Sequence, residues 1–167
     1  MILTLQTEKE LILASKSPAR RKLLAKGFGI PFTVDPSGVD ESLDVNDSLE
    51  EALIRLARKK ARTVKGRHPG ALVLGIDTMV LLGGQVLGKA RDRDEARFML
   101  ESLNGKWHEV ITALALNDDQ VQTRVVKTRV KFRELEKWEI DHYLDSGEYR
   151  GKAGAYGIQG LAGIFVR

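Results

Sequence analysis

LILASKSPARRKLL, residues 11–24, predicts a short strand that passes through a polar loop into a helix. Its first four residues are apolar, too few for a helix but enough for a buried strand. Ser17 suits a helix N-cap, and Pro18 suits the first helical position, where its missing N–H costs nothing. We therefore expect a helix from Pro18 to about Lys26 that stops at Gly27, so that the stretch forms a strand-to-helix junction.

The chemistry of this junction suits a phosphate group. A helix N-terminus offers unpaired backbone N–H groups and the positive end of the helix dipole. The same few residues add two hydroxyls and three cations, which belong to Ser15, Ser17, Lys16, Arg20 and Arg21. The alternative is a plain helix cap with solvated basic residues. From this stretch alone the two interpretations have equal support, because the spacing is not that of a P-loop.

Composition limits the class of protein. The 167 residues, 43% of them hydrophobic, suit one domain or two small lobes that share a core. The absence of cysteine excludes disulfides and thiolate metal sites and is compatible with the cytoplasm. No apolar run approaches the ~20 residues of a membrane-spanning helix. The net charge of +4 permits a polyanionic partner, but aromatic residues are only 6% and are not interleaved with the basic ones, which disfavours nucleic acid.

A second helix carries a lysine on its apolar side. Ser48 followed by Glu51 forms a capping-box pattern that opens the helix. Its apolar stripe consists of Leu49, Ala52, Leu53, Leu56, Ala57, Ala61 and Val64. Lys60 falls on this stripe, so its side chain either snorkels to solvent or points into a site, and periodicity alone favours snorkelling.

An acidic residue follows the most apolar run of the chain. Residues 71–76 predict a central strand that ends at Asp77, which would place this carboxylate at the rim of the sheet, where open α/β sheets bind ligands. Residues 79–82 and 85–87 predict a hairpin around Gly83-Gly84, and Lys89 follows it.

The remaining segments alternate between helix and strand patterns. We expect helices over residues 92–103 and 136–144, strands over residues 107–116, 121–133 and 164–166, and a glycine-rich loop over residues 151–160. His108 shares the strand parity of Val110 and Thr112 and is predicted to be a partly buried structural residue rather than a catalytic one.

Several ordered motifs together resemble the Maf family of nucleoside triphosphate pyrophosphatases. They are LASKSPARRKLL (13–24), VDES (39–42), LARKKA (56–61), GIDTMV (75–80), LGKA (87–90), NGKWHEVITA (104–113) and GKAGAYGIQG (151–160). They occur in family order and cover nearly the whole chain. No single motif is decisive, but the ordered set is highly specific.

The resemblance implies a fold and an activity. The fold is α/β and related to the inosine triphosphatases, with a long mixed β-sheet and flanking helices in two lobes around a cleft, and residues 1–167 would form a single Maf-like domain. The activity is a hydrolase reaction that cleaves a nucleoside triphosphate to the monophosphate and pyrophosphate with a divalent metal cation, Mg²⁺ or Mn²⁺. The expected partner is the nucleoside triphosphate substrate, with no membrane, and the expected location is cytoplasmic. Whether the protein forms a homodimer is left open.

The resemblance also implies roles for particular residues. Asp77 would be the catalytic proton acceptor or a metal ligand, and Glu41 the second carboxylate for metal or water, although Glu41 can also be read as one acid of an acidic loop over residues 35–47. Thr78 and Gln159 would read the base, and Lys152 would contact phosphate or cap its loop. The phosphate-binding residues would be Ser15, Ser17, Arg20, Arg21, Lys60 and Lys89.

Three segments are most similar to the branch of the family that acts on dTTP and UTP. They are Asp77-Thr78, the strand from Trp107 to Thr112 and the glycine-rich motif over residues 151–160. Ala19 departs from that branch, which has an arginine at this specificity position, so the sequence indicates the reaction more firmly than the base. Ala90 replaces a common proline. Family members usually continue past Phe165 with further segments, so we expect this domain to lack the usual C-terminal segment.

Three alternatives to dTTP/UTP hydrolysis stay open. They are the same reaction on another base, a catalytically impaired nucleotide-binding or regulatory protein, and a basic nucleic-acid-binding domain.

Overall fold

A computed structural model describes residues 8–42 and 48–167 of the chain. Asp44 and Asp47, two acids of the predicted acidic loop, lie outside these residues. The chain divides into two compact units. Unit 1 comprises Met1–Asp77 and Thr112–Val126, and unit 2 comprises Thr78–Ile111 and Lys127–Arg167.

Among the described residues, the strands form one mixed sheet with the order β2-β1-β3-β5-β6, and β4 pairs with β3. Strand β1 is parallel to β2 and to β3, whereas β4 is antiparallel to β3. The strands are β1 (Leu11–Leu13), β2 (Phe32–Val34), β3 (Leu72–Leu82), β4 (Gln85–Leu87), β5 (Trp107–Asn117) and β6 (Val121–Lys131). The helices are α1 (Pro18–Phe28), α2 (Leu49–Arg67), α3 (Arg93–Leu103) and α4 (Lys137–Asp145), with a 3₁₀ helix at Leu161–Phe165. The predicted α/β class with a mixed sheet and flanking helices is confirmed.

The helices of unit 1 begin where the sequence predicts. The Ser17 side chain accepts a hydrogen bond from the backbone N–H of Arg20 at the start of α1, and Ser48 and Glu51 form the full capping box of α2. Helix α1 passes through Gly27, however, and ends before Gly29, which adopts φ 59°. The expected stop at Gly27 was wrong because the left-handed conformation that ends the helix is taken two residues later.

Unit 2 has its own apolar core around aromatic residues. Phe132, Tyr143 and Phe165 are fully buried and meet edge to face. His108 is also buried, with Nε2 2.7 Å from the hydroxyl of Tyr156. Burial lowers the pKa of His108, because the charged imidazolium loses its hydration. The expected burial of His108 is confirmed, and its structural rather than catalytic role stays a prediction.

The two tryptophans of the chain lie on the surface of unit 2. Trp107 is 53% exposed, and the guanidinium of Arg129 lies 4.9 Å from its ring centroid. Trp138, on α4, is 68% exposed. Neither ring contributes to the buried core.

Two strand predictions were wrong. Strand β3 does not end at Asp77 but continues to Leu82, so Asp77 lies inside a strand rather than at its end. Residues 164–166 do not form a strand, because most of this segment belongs to the 3₁₀ helix, and Val166 makes only an isolated bridge to Phe132. In that helix the buried side chains are Ala162 and Phe165, and their three-residue spacing matches a 3₁₀ turn rather than a strand. No helix among the described residues is long and apolar enough to cross a membrane.

Candidate functional site

The centre of unit 1 is a buried ion pair between α2 and β3. Lys60 Nζ hydrogen-bonds to Oδ1 of Asp77, and the two side chains are only 4% and 5% exposed. Snorkelling of Lys60 is thereby excluded. Ionised groups are rarely taken out of water without a partner, so each of these two charges accounts for the burial of the other.

A close approach of backbones makes this pair possible. A Cβ built on Gly75 would collide with the carbonyl oxygen of Ala57 and would lie 2.9 Å from the amide nitrogen of Ala61. Gly75 and Asp77 share one face of β3, and Ala57, Lys60 and Ala61 share the buried face of α2. Helix and strand therefore meet at glycine and alanine, which brings the lysine within reach of the carboxylate.

Glu41 supplies a second carboxylate to the same ammonium group. Its Oε1 lies 2.7 Å from Lys60 Nζ, and its side chain is 38% exposed. The turn that carries it is held by Asp40, whose carboxylate accepts hydrogen bonds from the backbone N–H and the hydroxyl of Ser42. Lys60 thus joins a buried acid to a partly exposed one.

Arg20 links the strand-to-helix junction to this cluster. Its Nη1 donates to the backbone carbonyl of Ile76, at 2.8 Å, and to Oγ of the buried Ser15, at 3.3 Å. Burial lowers the pKa of Arg20, while the negative charges of Asp77 and Glu41 oppose that shift. The guanidinium remains charged, and it brings the junction beside the residue that precedes Asp77.

The other predicted residues of the junction have separate positions. Ser17 serves as the N-cap of α1, and Ala19 lies in its first turn. Arg21 is exposed and lines an open groove with Ala25 and residues 29–34, with a volume of about 700 Å³. The phosphate-binding role predicted for Arg21 stays a prediction.

In unit 2 the structure brings Lys89 beside the segment that contains Lys152. Lys89 forms an antiparallel bridge with Ala153, and the amide of Gly154 donates to the carbonyl of Gly88 at 2.9 Å. Thr78 lies within β3 and is partly buried, and Gln159 is exposed in the turn before the 3₁₀ helix. Their roles stay predictions.

Two residues that hold the elements around Lys60 and Asp77 were not predicted from the sequence. Gly75 was detectable, because a glycine inside a strand often marks a close backbone approach. The Asp35 carboxylate accepts two hydrogen bonds from Arg67, and its Oδ2 lies 2.9 Å from His68 Nε2. These contacts tie the segment that leads from β2 toward Glu41 to the end of α2. No local pattern predicts that contact, since the partners are more than thirty residues apart.

Comparison with known proteins places these motifs in a family. The family model described as "Maf-like protein" matches residues 10–167. The chain belongs to the Maf family. Among curated Maf relatives, the proteins named dTTP/UTP pyrophosphatase from Myxococcus xanthus and Hahella chejuensis are 49% and 46% identical. The alignments cover 93% and 95% of this chain and 79% and 80% of those proteins.

A relative from Pyrococcus horikoshii has the same name. The dTTP/UTP pyrophosphatase of Pyrococcus horikoshii is 46% identical over 93% of this chain and 83% of its own. Among solved structures, the Staphylococcus aureus Ham1 protein aligns at 13% identity with a TM-score of 0.48, over 74% of this chain and 72% of that chain. This structural similarity is weak, and the family membership rests on the sequence matches.

The two carboxylates beside Lys60 fit a divalent cation. Oδ2 of Asp77 is buried and has no hydrogen-bond partner in the described part of the chain, and Glu41 contacts the same Lys60 ammonium group as Asp77. Magnesium takes one or two protein carboxylates and completes its coordination with water and phosphate oxygens. A closed site built from protein alone is absent, since the described residues contain no group of three or more His, Cys, Asp or Glu that could hold a metal ion.

Proposed function

We propose that this Maf protein is a nucleoside triphosphate pyrophosphatase that hydrolyses dTTP and UTP to the monophosphate and pyrophosphate. The observation that carries the proposal is the buried Lys60–Asp77 pair, with Glu41 on the same ammonium group and Arg20 tying the junction to β3. The name of these relatives, dTTP/UTP pyrophosphatase, supports the choice of reaction and of substrate.

The junction is proposed to bind the triphosphate. Ser15 Oγ accepts hydrogen bonds from Ser17 N and Arg20 Nη1, and a hydroxyl that accepts still has its own hydrogen to donate. Each charge-assisted hydrogen bond to phosphate contributes about 1.5–3 kcal/mol. In unit 2, Lys89 and Lys152 are proposed as further phosphate contacts.

Asp77 is proposed as the proton acceptor. As water attacks and the P–O bond between the α and β phosphates breaks, one water proton would pass to Oδ2 of Asp77, the oxygen that Lys60 does not occupy. Asp77 and Glu41 are also the carboxylates that would hold a divalent metal. When bound, that metal supplies charge neutralisation on the triphosphate and lowers the pKa of a bound water.

We propose that Thr78 and Gln159 select the base, because a hydroxyl and a side-chain amide can both donate and accept hydrogen bonds at a pyrimidine edge. Ala19 contributes no polar contact at the position where the pyrimidine branch has an arginine. We also propose that residues 1–167 act as one Maf-like domain in the cytoplasm. The single family match over residues 10–167 and the absence of cysteine support this.

The test is pyrophosphate release from a panel of ribo- and deoxyribonucleoside triphosphates with Mg²⁺. Turnover of dTTP and UTP is expected to exceed that of purine nucleotides, and Asp77→Asn is expected to lose at least about 10²-fold in kcat, the lower end of general-base effects. Good purine turnover without dTTP or UTP turnover would contradict the pyrimidine assignment. Equal inactivity of the wild type and Asp77→Asn, with nucleotide still bound, would contradict catalysis itself.

A further inference from the structure

The turn that presents Gln159 is built around the carboxylate of Glu148. Oε2 of Glu148 accepts a hydrogen bond from the backbone N–H of Leu161 at 3.1 Å. A Cβ built on Gly160 would lie 2.5 Å from the carboxyl carbon of Glu148 and 2.6 Å from its Oε2. The carboxylate therefore touches both residues that follow Gln159.

The contact with Glu148 disfavours a side chain at residue 160. The φ of Gly160 is −116°, which lies outside the left-handed region that favours glycine. Its amide donates to the carbonyl of Gly157 at 3.0 Å and closes a turn with Ile158 and Gln159 at its two central positions. A side chain at residue 160 would displace the Glu148 carboxylate, which occupies that space.

The backbone of Glu148 is held by Ser146, and its carboxylate has a second neighbour at Gly157. Its backbone N–H donates to Oγ of Ser146, and that hydroxyl donates to the carbonyl of Tyr143 on α4. A Cβ on Gly157 would lie 2.5 Å from Cε of Lys152 and 3.7 Å from Oε1 of Glu148. The carboxylate is thus enclosed by the segments that carry Lys152 and Gln159.

We propose that Glu148 is a positioning residue that fixes the turn over residues 157–160 and so determines where the Gln159 amide is held. This rests on the proposed function, in which Gln159 contacts the base. A site that reads a base by hydrogen bonds discriminates only if its donors and acceptors are held in place. Glu148 therefore acts on base selectivity without touching the nucleotide.

The test compares Glu148→Ala, Glu148→Gln and Gly160→Ala, with Glu101→Ala, an exposed acid on α3, as the control. In Glu148→Ala and Gly160→Ala the ratio of kcat/KM for UTP over CTP is expected to fall roughly tenfold, the effect of one lost hydrogen bond. The amides of residues 158–161 should also exchange hydrogen faster. Glu148→Gln keeps an oxygen acceptor for Leu161 and should retain the wild-type ratio within about threefold.

Each outcome decides the proposal. Faster exchange with a lower UTP/CTP ratio supports it. Unchanged exchange in Glu148→Ala overturns it, because Glu148 would not hold the turn. Faster exchange with an unchanged ratio also overturns it, and if Gln159→Ala then lowers the ratio, the proposed function stands without this inference. A wild type that hydrolyses no triphosphate overturns the proposed function and this inference together.

Discussion

The ammonium group of Lys60 lies directly against Oδ1 of Asp77, with both side chains almost fully removed from solvent. The lysine comes from the apolar stripe of a helix and the aspartate from the interior of a strand. Neither position would tolerate its charge alone, so the stability of unit 1 and its proposed chemistry depend on the same two residues.

Removing the lysine should destabilise the protein more than neutralising the aspartate. Lys60→Met leaves the Asp77 carboxylate buried without its ion-pair partner, which is expected to cost about 3–5 kcal/mol in the free energy of unfolding. Asp77→Asn should cost less, because Lys60 keeps its ion pair with the partly exposed Glu41. Urea unfolding followed by circular dichroism measures both. The control Lys59→Met, on the exposed side of α2, should remain within about 0.5 kcal/mol of the wild type. A loss in Lys59→Met as large as that in Lys60→Met would contradict the assignment of the destabilisation to the buried ion pair.

Gly75 and Gly66 should respond to alanine in opposite directions. Gly75→Ala forces a methyl group into the backbone of α2 and should cost about 1–3 kcal/mol or more. Gly66 lies in α2 with nothing within 4 Å of a built Cβ, so Gly66→Ala should stabilise by up to about 1 kcal/mol. Thermal unfolding of both variants tests this, and a harmless Gly75→Ala would mean that helix and strand do not meet closely there.

Metal removal should stop hydrolysis. EDTA is expected to abolish pyrophosphate release and added Mg²⁺ to restore it. Glu41→Gln should raise the Mg²⁺ concentration for half-maximal activity at least about tenfold, since even residues that only support metal ligands contribute roughly 10–100-fold to affinity. Asp119→Asn, at an exposed side chain, is the matched control.

The same Mg²⁺ titration separates the two roles of Asp77. If Asp77 only accepts the proton, the residual activity of Asp77→Asn should have the same Mg²⁺ concentration for half-maximal activity as the wild type. If Asp77 also holds the metal, that Mg²⁺ concentration should rise. Equal activity of the wild type in EDTA and in Mg²⁺ would contradict the proposed metal requirement.

Stability should fall on the acid side because of His108. Its pKa in the folded protein is lowered from 6.5, so the unfolded chain binds the proton more readily. The free energy of unfolding is therefore unaffected by this residue above about pH 6.5 and decreases below it, by up to about 1.4 kcal/mol per pH unit. Urea unfolding at pH 7.5, 6.5 and 5.5 should show a flatter profile for His108→Gln than for the wild type. His142→Gln, at an exposed position, should leave the profile unchanged.

The sequence predicts the side of α2 that is buried, but not what Lys60 meets there. The spacing of Leu53, Leu56 and Ala57 places Lys60 inward, and the structure agrees. Its partner lies seventeen residues away on a strand, and such a contact leaves no local pattern. The choice between snorkelling and a site role therefore depended on tertiary structure.

The errors have physical causes of the same kind. Asp77 was expected to end its strand because the apolar run over residues 71–76 stops there, yet the ion pair with Lys60 offsets the cost of burying the carboxylate inside the strand. Ile164–Val166 has a strand-like composition, but the burial of Ala162 with Phe165 favours the 3₁₀ turn. Capping residues, by contrast, act over three or four positions, and for that reason Ser17 and Ser48 were predicted correctly.

The exposed positions of Trp107 and Trp138 limit what intrinsic fluorescence can report. More than half of each tryptophan is already exposed in the folded chain, so their emission should change less on unfolding than that of a buried indole. Both also belong to unit 2, and unit 1, with the Lys60–Asp77 pair, contains no tryptophan. A tryptophan introduced at Phe32, a partly buried aromatic position on β2, would give unit 1 an optical signal of its own.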